Sequence, residues 1–128
     1  MRVSGVVLAL AVLSALALAE DKAAGPLTPE QAAKKVNEEC TVQVEVLSTG
    51  KGKAVVFLNS RKDFKAADNF TVFINKEGVN KLKEAKVEDP AAHFKGKKVR
   101  VTGTVKLYRD KPQIVVEKAE QIRMVEKE

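Results

Sequence analysis

Lys98-Val99-Arg100-Val101-Thr102-Gly103-Thr104-Val105-Lys106-Leu107-Tyr108 alternates in polarity from end to end, and this alternation decides the fold. Val99, Val101, Val105 and Leu107 fall on one side, with Gly103 in their series; Arg100, Thr102, Thr104, Lys106 and Tyr108 fall on the other. A period of two over this length predicts a half-buried strand. A glycine in its middle predicts a bulge or sharp bend, as a tightly curved barrel requires. Arg109-Asp110-Lys111 then turns the chain into a further strand over 112–117.

Upstream, the same period recurs. Val42, Val44 and Val46 alternate with Thr41, Gln43 and Glu45, with Cys40 in phase with the valines, and predict a first strand. Thr49-Gly50-Lys51-Gly52-Lys53 reads as a turn with two glycines, and 54–59 (AVVFLN) as a second strand dense in β-formers. A polar excursion over 60–69 precedes a third strand, 70–74 (FTVFI). Two stretches carry helical signals. Thr28-Pro29-Glu30-Gln31 offers a cap, a proline for the first helical position and a residue to close a capping box, so a helix is expected from there to about 38. Val79, Leu82 and Ala85 at helical spacing predict a second helix over 76–86, broken by Asp89-Pro90. Residues 121–125 form a last extended piece, suited to covering an edge.

The predicted order is helix, three strands, helix, two strands: a mainly β domain, read as a small five-stranded barrel of the OB type. The helix between strands three and four sits where an OB-fold places its own, and the first helix is an addition. The run from Phe94-Lys95-Gly96-Lys97-Lys98-Val99 through Pro112-Gln113-Ile114-Val115-Val116 resembles the last two strands of OB-fold nucleic-acid-binding domains. Val56-Phe57-Leu58-Asn59 and Asn69-Phe70-Thr71-Val72 resemble the paired middle strands of exported bacterial members. The resemblance covers roughly 40–125. It implies the fold; OB-folds bind single-stranded nucleic acid, oligosaccharides, proteins and small ions, so it does not choose a ligand.

The first segment stands apart from this pattern. Arg2 is a short positive region, residues 6–18 are almost wholly Val, Leu and Ala, and Ala17-Leu18-Ala19 supplies small residues where a signal peptidase cuts. The apolar run is shorter than a membrane span. The expected organisation is a signal peptide over 1–19, a disordered leader over 20–27 and one domain over 28–128, exported to the periplasm or beyond, with no stable membrane insertion after cleavage; an uncleaved anchor is the alternative. Removing 1–19 leaves 109 residues with 22 basic against 17 acidic side chains, a net charge of +5. That attracts polyanions without proving one is the partner. A single cysteine, Cys40, cannot form an internal disulfide and reads as a buried thiol.

Catalysis finds no support in the sequence. The one histidine, His93, lies in Ala-Ala-His-Phe with no nucleophile implied beside it, and reads as a solvated loop residue. The acids alternate with lysines, as in Lys83-Glu84 and Glu117-Lys118, and Asp63 and Asp68 match no dense cation-binding spacing. The expectation is a non-enzymatic binding module with no cofactor and no metal. Its candidate nucleic-acid site follows from strand phase. If Val56 and Leu58 point inward, Val55, Phe57 and Asn59 point outward; if Phe70, Val72 and Ile74 point inward, Thr71 and Phe73 point outward. Phe57 and Phe73 then form a stacking platform for bases. Lys51, Lys53, Arg109 and Lys111 lie in the flanking loops and Tyr108 at their rim, placed to meet a phosphate backbone. Burial of both phenylalanines, or plain cross-strand packing, is the competing reading, and a protein, glycan or small-molecule partner in the envelope the competing function. Asn69-Phe70-Thr71 formally matches an N-glycosylation acceptor, but a strand start is a poor place for one.

Overall fold

A computed structural model describes residues 25–125. The expected signal peptide and residues 20–24 of the expected leader lie outside the described residues. Seven strands form one mixed sheet: β1 (Glu39–Glu45), β2 (Ser48–Gly52), β3 (Val55–Asn59), β4 (Thr71–Ile74), β5 (Lys98–Tyr108), β6 (Lys111–Val116) and β7 (Ile122–Met124). Among the described residues three α-helices accompany them: α1 (Pro29–Ala32), α2 (Lys76–Glu84) and α3 (Pro90–Phe94), with a 3-10 turn at Ala119–Gln121. The strands pair in the order β1-β5-β6-β4-β3-β2, with β7 on the other side of β5 from β1. All pairings are antiparallel except β4 with β6.

The two ends of this path, β1 and β2, are neighbours in sequence, separated by Val46 and Leu47. The Val46 amide donates to the Lys97 carbonyl and the Leu47 amide to the Asn59 carbonyl, each at 2.9 Å. The chain therefore changes partner, from the start of β5 to the end of β3, within one peptide unit. The enclosed core is aliphatic but for one ring, Phe70: Val42, Val44, Val46, Leu58, Phe70, Val72, Ile74, Val99, Val101, Val105, Ile114 and Val116 have no exposed surface. Each such side chain contributes about 1.5–3 kcal/mol by leaving water.

Several elements differ from expectation. Residues 49–52 of the expected turn belong to strand β2, and the reversal falls at Lys53-Ala54, where Ala54 takes a φ of 64°. The glycines there make a bed rather than a turn. Gly50 faces Phe57 across the strands, and a Cβ on Gly50 would touch the Phe57 ring at 3.6 Å. The first helix stops at Ala32 instead of reaching 38, although its capping box forms as read, Thr28 with Gln31. Asn37 adopts a φ of 72° and donates its amide to Val105, which pulls the chain off the helix and into β1. Leu27, at the end of the expected leader, is tied to β1 by hydrogen bonds to Thr41 and Gln43. Asp89-Pro90, expected only as a breaker, also starts α3: Asp89 accepts from the Ala92 amide and Pro90 takes the first turn, where its missing N–H costs nothing.

β5 runs as one strand through Gly103. From Lys98 to Thr104 it pairs with β1; from Val105 it pairs with β6. A Cβ at Gly103 would lie 2.7 Å from Ile114, so the glycine lets β6 cross closely. Where the strands part, the Gln121 side chain fills in, donating to the carbonyls of Thr102 and Val115 at 2.9 and 3.0 Å. Beyond β1, β5 and β6 project as a hairpin arm. Leu107, expected inward, is therefore 54 % exposed, and Tyr108 57 %.

Candidate functional site

Phase along β3 and β4 sets the site. Val56, Leu58, Phe70, Val72 and Ile74 are buried, and Phe57, Thr71 and Phe73 face outward, half-buried. Phe57 is the register partner of Phe73, and their ring centroids lie 5.2 Å apart with the planes tilted by 35°. Asn59, expected outward into solvent, is 5 % exposed. It is held in a polar cluster: Asn69 Nδ2 donates to Asn59 Oδ1 at 3.3 Å and to Thr71 Oγ1 at 3.1 Å, and Thr71 Oγ1 donates to Asn59 Oδ1. Asn69 Oδ1 accepts the Arg61 amide at 3.1 Å, so one buried side chain (1 % exposed) anchors the 60–69 loop. That burial also removes Asn69 from any glycosylating enzyme.

Phe57 forms the floor of a groove of about 680 Å³. Its walls are β2, the 60–69 loop and the β5–β6 hairpin. Of the seven sequence-predicted residues, the structure brings Phe57, Tyr108, Lys51, Arg109 and Lys111 into this groove. Phe73 lies beside Phe57 without lining it, and Lys53 sits in the exposed β2–β3 turn. The hairpin turn puts both Arg109 (φ 53°) and Asp110 (φ 67°) in the left-handed region, as a two-residue reversal requires. The Arg109 guanidinium lies 5.3 Å from the Tyr108 ring centroid.

Three charged or aromatic lining residues were not anticipated: Lys62, Phe64 and Lys65. Phe64 is 60 % exposed, an aromatic in a polar loop, and that incongruity was the only signal in the sequence. The loop is locked across the groove because Lys111 Nζ donates to the Lys65 carbonyl at 2.7 Å. Lys51 is steadied on the other wall by Asp89 at 3.2 Å. That lysine's hydrogen bond, helped by the Ala92 amide, holds the Asp89 carboxyl below its ordinary value of 3.8.

The groove is lined by five cationic side chains, three aromatic rings and no carboxylate. Net charge in residues 20–128 is +5, so outside the groove acids and bases balance. The groove thus brings cations together on a surface that also offers π-faces. His93 is an exposed residue of α3, edge-on to Phe94 with centroids 4.7 Å apart, and does not line the groove. Among the described residues no three His, Cys, Asp or Glu side chains gather where they could hold a metal ion, and no helix is long and apolar enough to cross a membrane.

Comparison with solved structures places this architecture. Over 79 % of the chain it superposes on part of an asparaginyl-tRNA synthetase from Pyrococcus horikoshii, complexed with asparaginyl-adenylate, with a TM-score of 0.53 and 16 % identity. An aspartyl-tRNA synthetase from Entamoeba histolytica gives 0.50 and 14 % over 78 %. The fold is OB-like. The chain spans about a fifth of the length of these enzymes, matching 22 % and 21 % of them. No protein-family model and no curated protein matches its sequence.

Proposed function

We propose that this chain is an exported, non-enzymatic OB-fold binding module that takes single-stranded nucleic acid, or another extended polyanion, in the groove over Phe57. One observation carries the reading: five cations and three exposed or half-exposed rings converge on a groove free of carboxylates. Rings on the β3–β4 face stack bases irrespective of sequence, and the flanking cations follow the backbone. The barrel itself is the five-stranded one if β1 and β2, joined at the Val46–Leu47 bend, count as one strand and β7 as an added edge. The two synthetase structures it superposes on belong to proteins named for tRNA, which supports the same ligand class.

The test is mapping. Nuclear magnetic resonance titration with a short single-stranded oligonucleotide is expected to shift Gly50, Phe57, Phe64, Tyr108 and Lys111 together. Shifts spread over the lysines of α2 instead would mark generic attraction.

The leader sequence favours a second reading. A periplasmic or secreted chain meets little nucleic acid, so a protein, glycan or small molecule of the envelope is the alternative occupant. A neutral glycan uses the rings but not the cations, so its binding is insensitive to salt. For the address itself, amino-terminal sequencing of exported protein should begin at Glu20; a product beginning at Met1 contradicts cleavage.

A further inference from the structure

A second cavity, of about 930 Å³, lies on the outer face of β1, β5 and β7 and shares no lining residue with the groove. Register builds its floor. β1 and β7 flank the same part of β5 from its two sides, so Gln43, Arg100 and Arg123 form one row across three strands. Directly opposed residues share a face with Cβ atoms about 4.5–5.5 Å apart, which makes the two arginines immediate neighbours. Arg100 Nε donates to Gln43 Oε1 at 3.1 Å, which fixes the plane of that guanidinium and leaves its terminal nitrogens free to point elsewhere. Neither arginine makes an ion pair among the described residues.

Like charges directly opposed across strands weaken a sheet. Here no carboxylate among the described residues lies within ion-pair distance of either. The cavity does hold carboxylates, but Glu39 lies four residues from Gln43 along β1, about 13 Å at the rise of a strand. Glu38 and Lys35 sit at that same remote end, where they act on the Cys40 thiol. Glu120, on the 3-10 turn, pairs with neither arginine.

We propose that Arg100 and Arg123 form a binding site for a dianionic oxyanion, a phosphate or phosphomonoester group held between two guanidinium forks. Guanidinium geometry matches phosphate oxygens in pairs. Two adjacent positive charges are balanced by a dianion, whereas a monocarboxylate balances only one. The site stands apart from the groove and does not depend on what the groove binds.

Thermal unfolding and amide chemical shifts of the purified protein, titrated with inorganic phosphate against sodium chloride of equal ionic strength, test this. Phosphate is expected to raise Tm saturably and to shift residues 41–43, 100–102 and 121–123. R123Q, at an exposed position, should melt no lower than the unaltered protein without phosphate, yet bind it at least tenfold more weakly; R109Q should bind it normally. Glycerol phosphate beside free phosphate shows whether an ester or the free ion binds tighter. A phosphate response no larger than that to chloride, an undiminished response in R123Q, or shifts confined to the groove would overturn the site. Acetate saturating as phosphate does would overturn its preference for a dianion.

Discussion

Phe57 and Phe73 face each other across β3 and β4 with ring centroids 5.2 Å apart, and neither ring is closed off from solvent. Beneath the pair lie Val56, Leu58, Val72 and Ile74, all buried; beside Phe57 lie Gly50 and Gly52, which have no side chain to cover it. A rigid, half-open aromatic pair flanked by cations is a surface shaped for stacking. Replacing either ring by alanine is expected to weaken single-strand binding by about 1–3 kcal/mol per lost base contact. A Tm within a few degrees of the parent's shows that the platform, not the fold, was removed.

Salt dependence reads the cations separately. Neutralising Arg109 or Lys62 to glutamine should weaken binding alike for all sequences and reduce the slope of log affinity against log salt by about one each. Neutralising Lys81 and Lys83, on α2 and outside the groove, should leave that slope unchanged.

Asn69 holds the loop that carries Lys62, Phe64 and Lys65. Asn69→Ala leaves the Arg61 amide and the Asn59 side chain short of a partner, at a cost of about 1–3 kcal/mol in urea unfolding. Proteolysis within 60–69 should quicken in the same variant. Unchanged stability would mean that the cluster is incidental.

Strand phase was legible in β1 and β5 because period two is written directly in Val42, Val44, Val99 and Val101. In β3 the continuous apolar run 55–58 left two phases open, and only the fold decided that Phe57 and Phe73 face outward. β2 was not legible, because glycines signal turns by composition, whereas Gly50 and Gly52 serve the Phe57 ring. α3 was hidden by Asp89-Pro90, which can end one helix and begin another with equal local chemistry. Leu107 was misplaced because alternation says which face a residue takes, not whether the core extends that far. The 60–69 loop was illegible for a different reason: its path depends on Asn69 and Lys111, whose contacts are not local.

Glycine at position 78 makes a sharper test of the packing. A Cβ there would fall 2.2 Å from the Val116 carbonyl oxygen, and backbone cannot swing aside. Gly78→Ala should destabilise by about 1–3 kcal/mol. Gly103→Ala meets a side-chain methyl of Ile114 at 2.7 Å; that buried, β-branched side chain must shift too, but it is side chain rather than backbone, so the cost should be less. The reverse order in chemical denaturation would contradict the close approach of α2 to β6.

Acid should act on the Lys51–Asp89 link. Asp89 in the folded chain releases its proton more readily than an ordinary carboxyl, so its contribution is complete above about pH 4 and fades as pH falls through the lowered folded value. In Lys51→Met, Asp89 should titrate at higher pH by carboxyl-detected resonance. An unmoved titration would mean that the contact at 3.2 Å does not persist in solution.

In the proposed function the groove over Phe57 binds an extended polyanion by stacking as well as by charge. Fluorescence anisotropy of the purified protein with a labelled single-stranded oligonucleotide, at low and physiological salt, tests it most directly. Micromolar or tighter binding is expected that survives physiological salt and weakens by about 1–3 kcal/mol per lost base contact in Phe57→Ala and Phe73→Ala. Binding seen only at low salt and indifferent to those substitutions, or none at all, would contradict it.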